Sequence, residues 1–321
     1  MPIIRLALAA GAALALLSAA APAADKAVVA VTAIVEHPQL DAVRDGVKAA
    51  LAQAGYKEGE TLVFEYESAQ GSPATAAQIA QKYVGQAPDV IVPITTPSAQ
   101  AVAAATRDIP VVFGAITDPV GAGLVASREH PGGNVTGTSD MLPLADHLDL
   151  IRAILPDART IGVIYNPAEA NSIWTVTALH EMAPDRGLGI VEATVTKTAD
   201  VRSAALSLVG NVDAIYIPTD NTVASAAEAV VGVGLENRIP VFGAETESVV
   251  RGAVAAIGFD YYQLGRETGA MVVRVLQGEK PGEMPVVNAR GSDLFVNLRS
   301  ATAIGLTIPP DVLGRATKVI R

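Results

Sequence analysis

Six polar turns carry the residue types that could do chemistry in this chain. Three lie in its first half: Glu36-His37-Pro38, Thr95-Thr96-Pro97-Ser98 and Ile116-Thr117-Asp118-Pro119. Three lie further on: the Asn166–Asn171 segment, Thr219-Asp220-Asn221-Thr222 and Glu245-Thr246-Glu247-Ser248. Their chemistry is that of holding a charged small molecule. Thr95-Thr96-Pro97-Ser98 opens a helical pattern. Unpaired amides at a helix start, with Pro97 where a missing N–H costs nothing, make a seat for a carboxylate. Thr96 and Ser98 can add hydroxyl donors, although plain helix capping by Thr96 and Asp220 accounts for the same residue types. Asp220 and Glu245, on the second set of turns, suit an ammonium group. His37 sits on a turn as a ligand contact or a capping residue. The candidate binding residues are Glu36, His37, Thr95, Thr96, Ser98, Asp118, Asn166, Glu169, Asn171, Asp220, Asn221 and Glu245.

Catalytic and cofactor patterns are weaker. Gly121-Ala122-Gly123-Leu124-Val125-Ala126 fits a dinucleotide fingerprint, but it follows Asp118-Pro119-Val120 instead of a buried strand, and no acidic residue follows at the required spacing. His37, His130, His147 and His180 lack metal-ligand spacing, and there is no Cys. A Gly-x-Ser-x-Gly elbow is missing. Spacing alone leaves open a glycosidase-like acid pair among the turn carboxylates, with nothing else in its favour. Asn134-Val135-Thr136 matches a glycosylation sequon by pattern and reads as a turn. No enzyme activity, cofactor or metal is expected.

The elements that must position these turns come twice. Asp89-Val90-Ile91-Val92-Pro93-Ile94 leads into Thr95, and Asp213-Ala214-Ile215-Tyr216-Ile217-Pro218 leads into Thr219. Ile109-Pro110-Val111-Val112-Phe113-Gly114-Ala115 has its echo in Ile239-Pro240-Val241-Phe242-Gly243-Ala244. A repeat spaced by more than a hundred residues is domain-sized, far longer than a solenoid unit. Apolar runs at 27–35, 61–67, 90–94 and 111–113 alternate with helical periods at 39–54, 73–85 and 99–106. The cycle restarts with helices at 143–155, 171–186, 200–209 and 223–237 and strands at 160–165, 189–194, 214–217 and 241–242. Val/Ile runs separated by helices predict parallel sheets covered on both faces. Ligands of such sheets bind beyond the carboxyl ends of the strands, which selects the six turns.

The tail exceeds a two-copy count, with a strand at 253–257, a long helix at 261–277 and a strand at 294–298. It therefore reads as chain crossing back near residues 136–141, 258–260 and 291–293. The expected fold class is α/β, two similar doubly wound parallel-sheet lobes joined by a multi-strand hinge. Lobe 1 is assigned residues 25–138 plus 259–290, and lobe 2 residues 139–258 plus 291–321. Arg5, the Leu/Ala run to Ala21 and the small-residue exit at Ala23-Ala24 read as an export signal over residues 1–24. The chain has 23 basic against 33 acidic residues, net −10, a poor match for nucleic acid or anionic lipid. An exported chain with no Cys has neither disulfides nor a lipid-attachment thiol, which points to a diffusible protein of the periplasm. Trp174, the one Trp, follows the Asn166–Asn171 turn and either faces a ligand or packs on the lobe.

Longer motifs carry a resemblance. They are Glu36-His37-Pro38-x-Leu40-Asp41, Ala99-Gln100, Thr117-Asp118-Pro119-Val120-Gly121-Ala122-Gly123-Leu124-Val125 and the run Pro131-Gly132-Gly133-Asn134-Val135-Thr136-Gly137-Thr138-Ser139-Asp140. They continue with Tyr165-Asn166-Pro167-x-Glu169-Ala170-Asn171-Ser172, Ile217-Pro218-Thr219-Asp220-Asn221-Thr222-Val223 and Asp260-Tyr261-Tyr262-x-Leu264-Gly265-Arg266-x-Thr268-Gly269. Across residues 28–309 the chain resembles ABC-transporter substrate-binding proteins related to the tryptophan/tyrosine-type uptake receptors. The resemblance implies the type I periplasmic binding protein fold. It also implies a receptor that closes on a small solute, often an aromatic amino acid, and presents it to a membrane permease and its ATPase. A sensor passing a signal to a membrane receptor would use the same cleft. A monomer is expected.

Overall fold

The computed structural model describes residues 26–321, so the export signal expected over residues 1–24 lies outside the described residues. Lobe 1 opens with β1 (Ala27–Ala33), α1 (Pro38–Gln53), β2 (Leu62–Ser68), α2 (Pro73–Gln86), β3 (Val90–Ile94), α3 (Thr96–Ala105), β4 (Val111–Phe113) and β5 (Val135–Ser139). Lobe 2 continues with α4 (Leu144–Ile154), β6 (Thr160–Tyr165), α5 (Ala170–Met182), β7 (Gly189–Thr194), α6 (Val201–Ser207) and β8 (Ala214–Ile217). Next come α7 (Asn221–Ala224), α8 (Ala227–Asn237), β9 (Val241–Gly243), α9 (Thr246–Val250) and β10 (Ala255–Gly258). The tail supplies α10 (Tyr261–Leu276), β11 (Val287–Asn288), β12 (Asp293–Asn297), α11 (Leu298–Ala303), α12 (Pro310–Arg315) and β13 (Lys318–Ile320).

Two sheets result. The first has the order β11-β5-β4-β3-β1-β2, and the second β13-β12-β10-β9-β8-β6-β7. All pairings are parallel except β10 with β12. The apolar runs form central strands because both faces are covered. Along β1, Val29 and Val31 face one core cluster with Val43 and Val47 of α1, while Ala30 faces another with Tyr83 of α2. Glycine lets α10 dock on α1 at backbone distance. A Cβ on Gly46 would lie 2.2 Å from the Tyr262 carbonyl oxygen, and one on Gly265 2.2 Å from that of Val43.

Several expectations change. The crossing expected near residues 136–141 starts only at Asp140, because Val135–Ser139 forms β5 inside the first sheet. The strand escaped the apolar pattern because Thr136, Thr138 and Ser139 are buried yet polar, hydrogen-bonded to the Met284 carbonyl, Thr268 and the Thr117 carbonyl. Gly137 brings that strand against Phe113, whose carbonyl a Cβ would meet at 2.0 Å. The helix expected over 171–186 ends at Met182, and Pro184 starts a separate 3₁₀ turn because it cannot continue the α ladder. The helix expected over 223–237 is two helices, α7 and α8. The Glu245 turn opens α9, and β11, α11, α12 and β13 had no counterpart in the sequence pattern. The chain passes between the sheets after β5, after β10 and after β11.

Candidate functional site

The carboxyl ends of the two sheets face each other across a small cavity of about 30 Å³. His37 and Thr95 line it from lobe 1, and Asn171, Asp220 and Glu245 from lobe 2. Asp140 and Tyr261, on the crossing segments after β5 and β10, complete the wall.

Each acidic group is held by its own local structure. Asp220 caps α7: its Oδ1 accepts the Val223 N–H at 2.8 Å, and its Oδ2 accepts the Asn166 N–H at 2.6 Å and the Ser172 hydroxyl at 2.7 Å. Burial, and then the neighbouring Glu169 charge, push its pKa up to about 7. Glu245 caps α9 through the N–H groups of Glu247 at 2.6 Å and Ser248 at 3.0 Å, and burial lifts its pKa to about 7. Asp140 accepts the Thr117 hydroxyl at 3.0 Å and the Tyr261 hydroxyl at 3.2 Å, with burial raising its pKa. His37 is lowered to about 3, first by burial and then by the Arg251 charge, so it is neutral.

The wall also carries strain and unmatched polarity. Thr95 is the N-cap of α3 with φ 76°, a left-handed conformation that a β-branched side chain rarely adopts, and Ala115 opposite β3 has φ 56°. His37 Nδ1, Thr95 Oγ1, Asn171 Oδ1 and Thr219 Oγ1 are buried without a hydrogen-bond partner among the described residues. All four residues line this cavity. Buried polar atoms are normally paired, so a cluster of unpaired ones marks where an external polar group belongs.

Of the sequence candidates, His37, Thr95, Asn171, Asp220, Asn221 and Glu245 meet at the cavity. Glu36 is exposed. Thr96 is the first residue of α3 and not its cap, and Ser98 is fully buried with an unpartnered hydroxyl one turn behind Thr95. Asn166 closes its own turn through the Ala168 N–H at 3.0 Å. Glu169 supports Asn221 and Thr222 from behind, accepting both their backbone N–H groups at 3.0 and 3.1 Å. Asp118 accepts the Val120 N–H at 3.2 Å and lies with half-buried Trp174 in a separate groove between the lobes. Asp140, Thr219 and Tyr261 were not among the candidates. Asp140 stands at the carboxyl end of β5 and would have been found by the strand-end rule had that polar strand been recognised. Tyr261 had no comparable signal.

Residues 28–320 match the family described as ABC transporter substrate binding protein, and the chain belongs to that family. The family is one of solute-binding receptors that take a small molecule, work with an ABC transporter and are generally extracytoplasmic. The fold is that of the type I periplasmic binding proteins. The chain is 41% identical over 278 residues to a tyrosine-binding protein of Clostridioides difficile, covering 87% of this chain and 81% of that one. An ABC domain from Streptococcus pneumoniae in complex with L-Trp is 36% identical, with a TM-score of 0.89 over 92% of this chain and all of that one. A ligand-free, open substrate binding protein with adhesive properties from Clostridium difficile is 41% identical, with a TM-score of 0.69 over 92% of this chain and 99% of that one.

Proposed function

We propose that this chain is a monomeric periplasmic receptor that closes its lobes on an aromatic amino acid and hands it to an ABC permease. The observation that carries the reading is the set of unpartnered polar atoms on His37, Thr95, Asn171 and Thr219, buried beside Asp220 and Glu245 where the lobes meet. Asp220 and Glu245 take the ammonium group, and the start of α3, with the Thr95 and Ser98 hydroxyls, takes the carboxylate. Two relatives support an aromatic side chain by what they bind, tyrosine in one and L-Trp in the other.

Closure is supported by the same relatives. This chain superposes better on the L-Trp complex than on the open, ligand-free structure, although the open one is more similar in sequence. The moving bodies in this reading are residues 25–138 with 259–290 and residues 139–258 with 291–321, hinged at the three crossings. A ligand favours the closed state only through contacts that exist there, as those to a cavity walled by both lobes do. Titration calorimetry against the common amino acids tests the reading, with stoichiometric binding of tyrosine or tryptophan expected and the ligand recovered unchanged. Small-angle scattering should then give a smaller radius of gyration with ligand. If no aromatic amino acid binds, the assignment fails.

A further inference from the structure

The cavity between the strand ends is small for the solute assigned to it. Its volume of about 30 Å³ takes about two water-sized groups, room for charged ends and not for an aromatic ring as well. The ring therefore needs a space that adjoins the cavity, and two clefts share wall residues with it. One, of about 330 Å³, shares only Asn221, whose amide is held by Glu169 at 2.5 Å. Its apolar walls come from Ile34, Val35, Pro73 and Pro97, it includes Lys197, and no aromatic residue lines it among the described residues. The other, of about 250 Å³, shares both Gln39 and Tyr261 with the cavity. The chain has five Phe, seven Tyr and one Trp, and four of these rings, Phe259, Tyr261, Tyr262 and Phe295, line this one cleft. Rings attract a further ring in offset or edge contact, which aliphatic walls do not match.

The partition between cavity and cleft has one fixed side and one free side. Tyr261 is fixed by its hydrogen bond to Asp140. Gln39, in the first turn of α1, is only 6% exposed, yet its amide makes no hydrogen bond to another described residue and faces both spaces. A buried amide without a partner marks a place for an external polar group, and nothing ties this side chain down when a ring passes it. Glu247, Asp260 and Asp293 also line the cleft, and no Lys or Arg does among the described residues. Asp260 uses its Oδ1 to cap α10, and Lys318 stands outside the lining, 5.1 Å from the centre of the Phe295 ring. Acceptors beside aromatic walls suit a ring that carries a donor, as a phenol and an indole do.

We propose that the aromatic side chain of the solute leaves the cavity past Gln39 and occupies the cleft walled by Phe259, Tyr261, Tyr262 and Phe295. The proposal rests on the amino-acid assignment above and adds where the ring lies.

Photolabelling of the intact mature protein with 4-azido-L-phenylalanine locates the ring directly. Irradiation of the complex should label residues 38–42, 259–262 or 293–295, and excess L-tyrosine should prevent it. Label in residues 34–35, 70–73 or 196–198 would put the ring in the aliphatic cleft, overturning the proposal while leaving the amino-acid assignment intact. Calorimetry with L-tyrosine and L-tryptophan asks the same question without the azide. Tyr262→Ala, at an exposed position, should weaken both about threefold to tenfold, and Lys197→Ala should leave both unchanged. Unchanged affinity in Tyr262→Ala, or a loss only in Lys197→Ala, overturns the proposal. Phe295→Leu takes the place of Tyr262→Ala should that variant fail to fold. If the wild-type protein binds neither amino acid, the assignment above fails and the proposal falls with it.

Discussion

Tyr261 donates its hydroxyl to Asp140 Oδ2 across 3.2 Å, tying the crossing after β10 to the crossing after β5. Both side chains are buried and both line the cavity, so the tie and the solute share one wall. Tyr261→Phe removes one of the two side-chain donors that hold Asp140. A buried acceptor left unmatched costs about 1–3 kcal/mol, so the variant should unfold at lower temperature by calorimetry. The Asp140 pKa should also rise further, because a hydrogen bond favouring its charged form is gone. An unchanged melting temperature would mean that the tie contributes nothing.

Stability should fall as pH rises toward neutrality. Asp220 in the folded state holds its proton to about pH 7, against 3.8 for an ordinary Asp, and Glu245 does the same against 4.5. Between these limits the unfolded chain binds fewer protons than the folded one, so the contribution of these groups is complete below pH 3.8 and lost by about pH 7. Melting curves of the free protein between pH 4 and 8 should show this slope, and Asp220→Asn should flatten it. A bound ammonium favours the ionised carboxyls and should reverse the trend, so solute affinity weakens as pH drops below about 7.

Asp220→Ala should weaken solute binding more than Thr96→Ala. A charge-assisted contact is worth about 1.5–3 kcal/mol and a neutral hydroxyl contact about 0.5–1.5 kcal/mol, and Thr96 stands outside the cavity wall. Calorimetry on the two variants measures the difference. Normal binding by Asp220→Ala would reduce the residue to a helix cap and remove the main anchor of the amino-acid assignment.

Thr95→Gly should separate stability from function. Glycine relieves the φ of 76°, a strain of about 1–3 kcal/mol, at a backbone entropy cost of about 0.5–1 kcal/mol. The free protein should therefore melt at a higher temperature. The same change deletes a hydroxyl from the cavity, so the solute should bind about threefold to tenfold more weakly. A variant that is both less stable and normal in binding would assign the strain no functional role.

The duplicated runs leading into Thr95 and Thr219, and ending at Ala115 and Ala244, were enough to set two parallel-sheet lobes with polar turns at matching strand ends. A buried parallel strand needs a continuous apolar stretch, and its direction dictates which end meets the ligand. Which turn residues face inward was decided only by packing. Glu169 and Asp220 are both acidic and both near a helix start, yet Glu169 is turned onto Asn221 and Thr222 while Asp220 reaches the cavity. Thr95 and Thr96 are the same residue type, and the left-handed backbone at Thr95 puts that one at the cavity wall. Asp140 and Tyr261 are 121 residues apart in the chain and meet because two crossings run side by side. No local pattern encodes that meeting, since it depends on where the folded sheets bring distant backbone together, and so the hinge side of the site belonged to the tertiary structure alone.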